Sequence, residues 1–213
     1  MKKIASLFIS VCVMTLVSCG SSKSIQEKVY SSQDEINEKM AEYTNGGWQI
    51  HGTSRTLRGK LTEHYDKMKM NLDLYELIGT STGCRSITVC RASALNAACI
   101  DLATKMGQDL KGKTMRDMGV DESAEVPTEY NKFQDACISK FQASIKEDLV
   151  EDFAMIRKEG GVNSYEIYFF VDKSSVNKKR KEAIEVALKE SDLHQAYARS
   201  IEKFINDGEG VYE

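Results

Sequence analysis

The sequence predicts an α+β fold, in which helices pack on one face of a small and mostly antiparallel sheet. From Leu72 onward, segments with alternating apolar residues are separated by segments with apolar residues at helical spacing. Their order is strand, helix, helix, strand, strand, helix, helix. The two consecutive strands flank Gly160-Gly161, which is typical of an antiparallel hairpin.

The clearest helical pattern runs from about Ser86 to Leu110. A strand predicted over residues 72–79 precedes it, and alanines border its apolar face, which permits close approach to a sheet. The face itself is formed by residues that recur every three or four positions: Leu95, Ala98, Cys99, Leu102, Met106 and Leu110.

The second half of the domain continues the pattern. A helix is predicted from about Thr128 to Ile145, because Pro127 marks its start. The hairpin strands span about 148–157 and 164–171, and two amphipathic helices complete the domain, which we place at residues 71–207.

Residues 31–70 predict a helix-strand-helix appendage in front of this domain. Leu57, Leu61 and Tyr65 recur at helical spacing in its second helix. His64 lies beside this stripe, and we interpret it as a boundary residue with an exposed polar tip.

The N-terminus has the parts of a signal peptide, predicted to be residues 1–18. Lys2 and Lys3 precede an apolar run of about 14 residues, shorter than the roughly 20 that span a bilayer. The residues Leu16-Val17-Ser18-Cys19 resemble the lipobox of bacterial lipoproteins. That resemblance implies cleavage before Cys19 and lipid, including palmitate, on its thiol; the alternative is an ordinary secretory signal that ends in cysteine.

The mature chain would be a mildly acidic domain on a short tether. Removing residues 1–18 takes away two lysines, so the formal charge changes from −3 to −5. No basic footprint indicates a nucleic-acid partner. Residues 19–30 begin with small polar residues, which predicts a flexible linker.

Four cysteines remain beside Cys19, and they are candidates for disulfide bonds: Cys84, Cys90, Cys99 and Cys137. An even number in an exported protein allows three pairings. Cys90 and Cys99 are nine residues apart on one helix and face opposite ways. Cys99 could pair with Cys137 if their helices are neighbours, and Cys84 could reach Cys90. The alternative is four small buried apolar side chains.

One dense basic run lies in the first turns of a predicted helix: Lys178, Lys179, Arg180 and Lys181. Positive charge there opposes the helix dipole. The run is a candidate contact for anionic head groups or an acidic partner. The alternative is a solvated face balanced by nearby glutamates.

No pattern in the sequence indicates a cofactor, a metal site or a catalytic motif. The chain has no C-x-x-C, no G-x-S-x-G, no phosphate-binding loop and no H-E-x-x-H. Its three histidines, His51, His64 and His194, show no metal-binding spacing.

The segments Glu76 to Lys111 and Asp152 to Asp172 resemble the lipoprotein-20-like family of envelope lipoproteins. The likeness covers about half of the chain and includes no catalytic signature. It implies a non-catalytic binding or scaffolding protein of the cell envelope, with the membrane and other envelope proteins as partners. Gly20, where lipoproteins retained in the inner membrane often have aspartate, favours the outer membrane. No acidic run follows Cys19, which favours the periplasmic side of that membrane. The alternative is an enzyme on envelope substrates, which converging carboxylates or a perturbed histidine in a pocket would favour.

Overall fold

The structure is a computed structural model that describes residues 33–121 and 125–206. The predicted signal peptide and tether, with Cys19, lie outside these residues. The described residues form six helices: α1 (Gln33–Asn45), α2 (Leu57–Met70), α3 (Ile87–Asp117), α4 (Thr128–Ile145), α5 (Lys173–Lys189) and α6 (Gln195–Asn206). They also form four strands: β1 (Gln49–His51), β2 (Leu74–Cys84), β3 (Val150–Glu159) and β4 (Val162–Asp172). The predicted α+β class and element order are confirmed.

The strands form one antiparallel sheet in the order β1-β3-β4-β2. β3 and β4 form the predicted hairpin, and its turn uses Gly160 and Gly161 at φ angles of 57° and 80°. Such positive angles favour glycine, which has no Cβ to clash. β2 and β1 are the two edge strands of the sheet.

The first face of the sheet is covered by α3, with α4 and α6 packed on α3 and with α5 packed on α4. α3 lies directly on β2: a Cβ added to Gly79 would come within 2.1 Å of the Ala94 carbonyl oxygen. The predicted close approach of this alanine-rich helix is thus confirmed. The helix continues past the predicted end at Leu110 because Thr114 and Met115 are also buried in this core.

The second face is covered by α1 and α2, which come from the segment predicted as an appendage. Helices α3 to α6 pack on one face as expected, while residues 33–70 supply a second layer and the edge strand β1. The side chains between this layer and the sheet form a separate apolar cluster: Ile36, Tyr43, Leu61, Phe153, Met155 and Tyr168. β3 and β4 therefore bury side chains on both faces.

Candidate functional site

A buried group of charged side chains lies between α2 and the second face of the sheet. His64 of α2 has no exposed surface. Its Nδ1 lies 2.8 Å from Oδ2 of Asp152 on β3, and its Nε2 contacts the carboxylate of Glu76 on β2. A neutral imidazole has only one N–H donor. Two carboxylate acceptors therefore favour the protonated ring.

The ring of His64 is fixed by aromatic neighbours. It stacks on Phe170, with ring centroids 4.7 Å apart and an angle of 16° between the planes. Three other rings meet its edges or face at 5.3–5.5 Å in T-shaped geometry: Tyr65, Phe153 and Tyr168. The imidazole consequently has one orientation in which both nitrogens meet carboxylates.

The charges in this cluster stabilise one another. Burial opposes the positive charge of His64, but the hydrogen bonds to Asp152 and Glu76 outweigh it and raise the pKa of the imidazole. Burial likewise opposes the charge of Asp152, yet hydrogen bonds from His64 and Lys67 lower the pKa of this carboxyl to about 2. Lys67 Nζ lies 2.6 Å from Asp152, and Lys60 Nζ lies 3.6 Å from it. Both positive and negative charge thus persist at neutral pH.

A tyrosine pair extends the polar network toward α1. The hydroxyl oxygens of Tyr43 and Tyr168 are 2.5 Å apart, and Tyr43 also donates to the carboxylate of Glu166. Burial, more than any neighbouring charge, raises the pKa of both phenols. Both hydroxyls therefore stay protonated and join α1 to β4 through hydrogen bonds.

A cavity of about 290 Å³ opens between α1 and the β2 edge of the sheet, beside this network. Glu76 and Tyr168 belong both to the network and to the cavity wall. The side chain of Glu76 is 29% exposed, whereas the glutamates of α1 are at the open rim. The full lining contains four carboxylates and one ammonium group: Glu35, Glu38, Lys39, Glu42, Tyr65, Glu76, Ile78 and Tyr168.

The one cation in this lining already makes the contacts that an ammonium ligand would make. Lys39 Nζ lies 2.9 Å from Glu42 Oε2 and 5.1 Å from the centroid of the Tyr43 ring. A carboxylate and an aromatic ring are the groups that recognise ammonium in proteins. The local chemistry of this surface therefore suits a positive charge.

The four cysteines predicted as disulfide candidates are all free thiols in the structure. Cys84 and Cys90 are neighbours at the bend between β2 and α3. Cys99 and Cys137 are buried on α3 and α4 within the same core. Both pairings stay predictions.

The four residues of the basic run all lie on α5 but differ in their burial. Arg180 is 6% exposed, and its guanidinium lies 5.1 Å from the centroid of the Phe204 ring. Lys178 and Lys181 are exposed, and Lys179 is half-buried. Three of the four residues can thus meet an external anion without rearrangement, and the anionic contact stays a prediction.

The interpretation of His64 as a boundary residue is wrong, since its ring is fully buried. Neither Glu76 nor Asp152 was among the predicted site residues. Neither residue stands out locally: β2 also contains Thr80, Ser81 and Thr82, and in β3 Asp152 directly follows Glu151.

Comparison with known proteins returns no match to a protein-family model, a curated protein or a solved structure. Within residues 33–121 and 125–206, no three His, Cys, Asp or Glu side chains are arranged to hold a metal ion.

Proposed function

We propose that this chain is a membrane-anchored envelope lipoprotein whose folded domain binds a small organic ammonium group. The anchor is supported by Leu16-Val17-Ser18-Cys19 behind a short apolar run. Two or more acyl chains on one residue hold a protein stably at a membrane. In the described part of the chain, no helix is long and apolar enough to span a bilayer. Gly20 supports the outer membrane as the location, the absence of an acidic run after Cys19 supports its periplasmic side, and the resemblance to lipoprotein-20-like proteins supports a binding role.

The cavity between α1 and β2 carries the binding proposal. Its lining places Glu35, Glu38, Glu42 and Glu76 around a concave space, with tyrosine rings on the wall. A primary ammonium group has three N–H donors and no acceptor. The cavity offers it carboxylate acceptors and aromatic surface together, and Lys39 shows the same recognition within the chain.

The buried network gives the cavity a fixed wall. Glu76 is held by His64, and His64 is held in turn by Asp152 and the ring of Phe170. A group whose rotamer is locked by such contacts loses little conformational entropy when a ligand binds. His64 is therefore a positioning residue for the cavity.

An acid-base enzyme is the second candidate, and the contact between Glu76 and His64 favours it. A partly exposed carboxylate beside a perturbed histidine is a frequent catalytic arrangement. Both nitrogens of His64 are occupied and its ring is unexposed, so only Glu76 could reach a substrate. Binding is the better-supported function because the other carboxylates of the lining, Glu35, Glu38 and Glu42, are exposed at the rim, where burial does not tune them for acid-base catalysis.

The test is calorimetric titration of the detergent-solubilised chain with cadaverine, and with 1,5-pentanediol as an uncharged analogue of the same length. We expect cadaverine to bind and pentanediol to show no binding. Glu38→Gln and Glu42→Gln should each weaken cadaverine binding about two- to fivefold, the range for one exposed ion pair.

Glu159→Gln is the matched control, because Glu159 is 81% exposed in the β3–β4 hairpin. It should leave cadaverine binding unchanged. Equal affinity for the diamine and the diol, no binding of cadaverine at millimolar concentration, or equal weakening by Glu159→Gln would each overturn the proposal.

A further inference from the structure

Two cysteines meet where β2 ends and α3 begins. Cys84 is the last residue of β2, and Cys90 lies in the first turn of α3. The Ser81 hydroxyl donates to the Cys90 carbonyl oxygen at 2.8 Å, and the Cys84 sulfur lies 3.7 Å from the same hydroxyl. One serine thus holds both ends of the bend together.

Asn163 of β4 holds the same two residues from the other side. Its Nδ2 donates to the Cys84 carbonyl oxygen at 3.1 Å, and its carbonyl oxygen lies 3.5 Å from the Cys90 sulfur. Burial, followed by the interaction with the Cys84 thiol, raises the pKa of Cys90. The two cysteines therefore share two partners, Ser81 and Asn163, which form a hydrogen-bonded frame around the bend.

We infer that Cys84 and Cys90 are an oxidisable dithiol, whose disulfide closes the bend between the edge strand β2 and α3. Cys84 is partly exposed and Cys90 is fully buried. A small disulfide can consequently reach one sulfur but not the other. Cys84 therefore reacts with the oxidant first, and Cys90 reacts second.

The reaction is a thiol-disulfide exchange with a small-molecule disulfide as the oxidant. The Cys84 thiolate attacks one sulfur of the oxidant, which breaks the S–S bond and releases one small thiolate. Cys90 then loses its proton and attacks the Cys84 sulfur of the mixed disulfide, which releases the second small thiolate. The protein loses two protons and two electrons, and the oxidant becomes two thiols.

The other two cysteines do not fit this role. Cys99 and Cys137 are 1% and 0% exposed, so an oxidant in solution has no access to either sulfur. Burial also raises the pKa of Cys137 to about 12 and raises that of Cys99. Among the four described cysteines only Cys84 has a sulfur that an oxidant in solution can reach, so oxidation begins there and selects the pair at the bend.

Peptide mapping after oxidation tests this inference directly. The full chain in detergent is incubated with glutathione disulfide, quenched in acid, alkylated and cut with trypsin, which cleaves after Arg85 and Arg91. A Cys84–Cys90 bond joins peptides 70–85 and 86–91. We expect this linked pair at least ten times more often than a link between 92–105 and 133–140, which would report a Cys99–Cys137 bond.

Variants separate the chemistry from any effect on folding. Cys84→Ser should abolish the linked peptides while the circular dichroism spectrum is retained, and Cys99→Ser should leave the link intact. In urea, where the bend is unfolded, the yield of the link should fall at least tenfold. Complete alkylation of Cys84 and Cys90 at every concentration of oxidant, or a predominant Cys99–Cys137 link, would overturn the inference.

Discussion

His64 and Asp152 join the outer helical layer to the sheet through a hydrogen bond of 2.8 Å between two side chains that are each 1% exposed. The bond spans 88 positions of the chain and connects α2 to β3. Buried charges are tolerated when each one has partners. Here Glu76, Lys67 and Lys60 complete the set, so loss of His64 removes one positive charge from beside two carboxylates.

Replacement of the buried histidine should therefore destabilise the fold strongly. We expect His64→Ala to lower the free energy of unfolding by about 3–5 kcal/mol, because Asp152 and Glu76 lose their shared donor inside the protein. Urea unfolding followed by the fluorescence of Trp48 measures this, since Trp48 packs against Tyr43 in the same layer.

His194 provides the control for that substitution. It is exposed ahead of α6, and its Nδ1 accepts only a 3.3 Å hydrogen bond from the Ala196 N–H, so His194→Ala should cost about 1 kcal/mol or less. A loss below about 1 kcal/mol for His64→Ala would show that the network does not hold the layer.

The raised pKa of His64 predicts how stability depends on alkaline pH. Its pKa in the folded protein lies above the ordinary value of 6.5. The charged ring therefore contributes its full stabilisation below about pH 6.5, and this contribution is lost as the pH rises through the folded pKa. Unfolding free energies measured from pH 6 to 9 should fall, and the fall should be absent in His64→Ala. If the free energy of unfolding fell with pH by the same amount in the unmodified protein and in His64→Ala, the titration of His64 would not be its cause.

The lowered pKa of Asp152 predicts how the free energy of unfolding depends on acidic pH. Its carboxyl titrates near 2 in the folded protein and at 3.8 ordinarily. The stabilisation is present above 3.8 and disappears as the pH falls toward 2. The variant Asp152→Asn should lose stability at neutral pH and depend less on pH between 4 and 2. If the stability of Asp152→Asn fell between pH 4 and 2 as steeply as that of the unmodified protein, Asp152 would not be the source of this dependence.

The contact between β2 and α3 leaves no room for a side chain at Gly79. In Gly79→Ala, the new Cβ would lie 2.1 Å from the Ala94 carbonyl oxygen and 2.8 Å from its carbon. Backbone atoms cannot rotate away, so the helix must shift, and we expect a loss of about 3 kcal/mol or more. Thr80→Ala, at the exposed neighbouring residue, is the control and should cost less than about 1 kcal/mol. Similar melting temperatures for the two variants would refute this packing.

The lipid anchor predicts a different result for each N-terminal cysteine. Cys19→Ser should abolish incorporation of labelled palmitate in cells and leave an uncleaved precursor. Cys12→Ser, inside the predicted signal peptide, should leave both labelling and cleavage unchanged. Unchanged labelling of Cys19→Ser would reject the anchor.

The sequence predicts helices α3 to α6 and the strands beneath them well, because the apolar residues of each element recur at a single spacing. The predicted stripe of α3, with Leu102 and Met106, is buried in the core of this layer, and the hairpin turns at Gly160. The second layer was assigned to an appendage, since nothing local shows that Leu61 of α2 packs on Tyr168 of β4. Such contacts join residues about a hundred positions apart.

The candidate site was less predictable than the fold for the same reason. His64, Glu76 and Asp152 come from three elements, and each is unremarkable among its sequence neighbours. Only the pairing of β4 with both β2 and β3 brings the two carboxylates to one ring. The proximity of Cys84 and Cys90 was predictable, because the two residues are only six positions apart across a single bend.

If the cavity beside Glu76 recognises a positive charge, removal of the charge of Lys39 should strengthen the binding of an ammonium ligand. Lys39 pairs with Glu42 within this cavity, so it competes with an ammonium ligand. In calorimetric titration with cadaverine, Lys39→Gln should bind about two- to fivefold more tightly than the unmodified chain. Weaker or unchanged binding by Lys39→Gln would contradict recognition of a positive charge by this cavity.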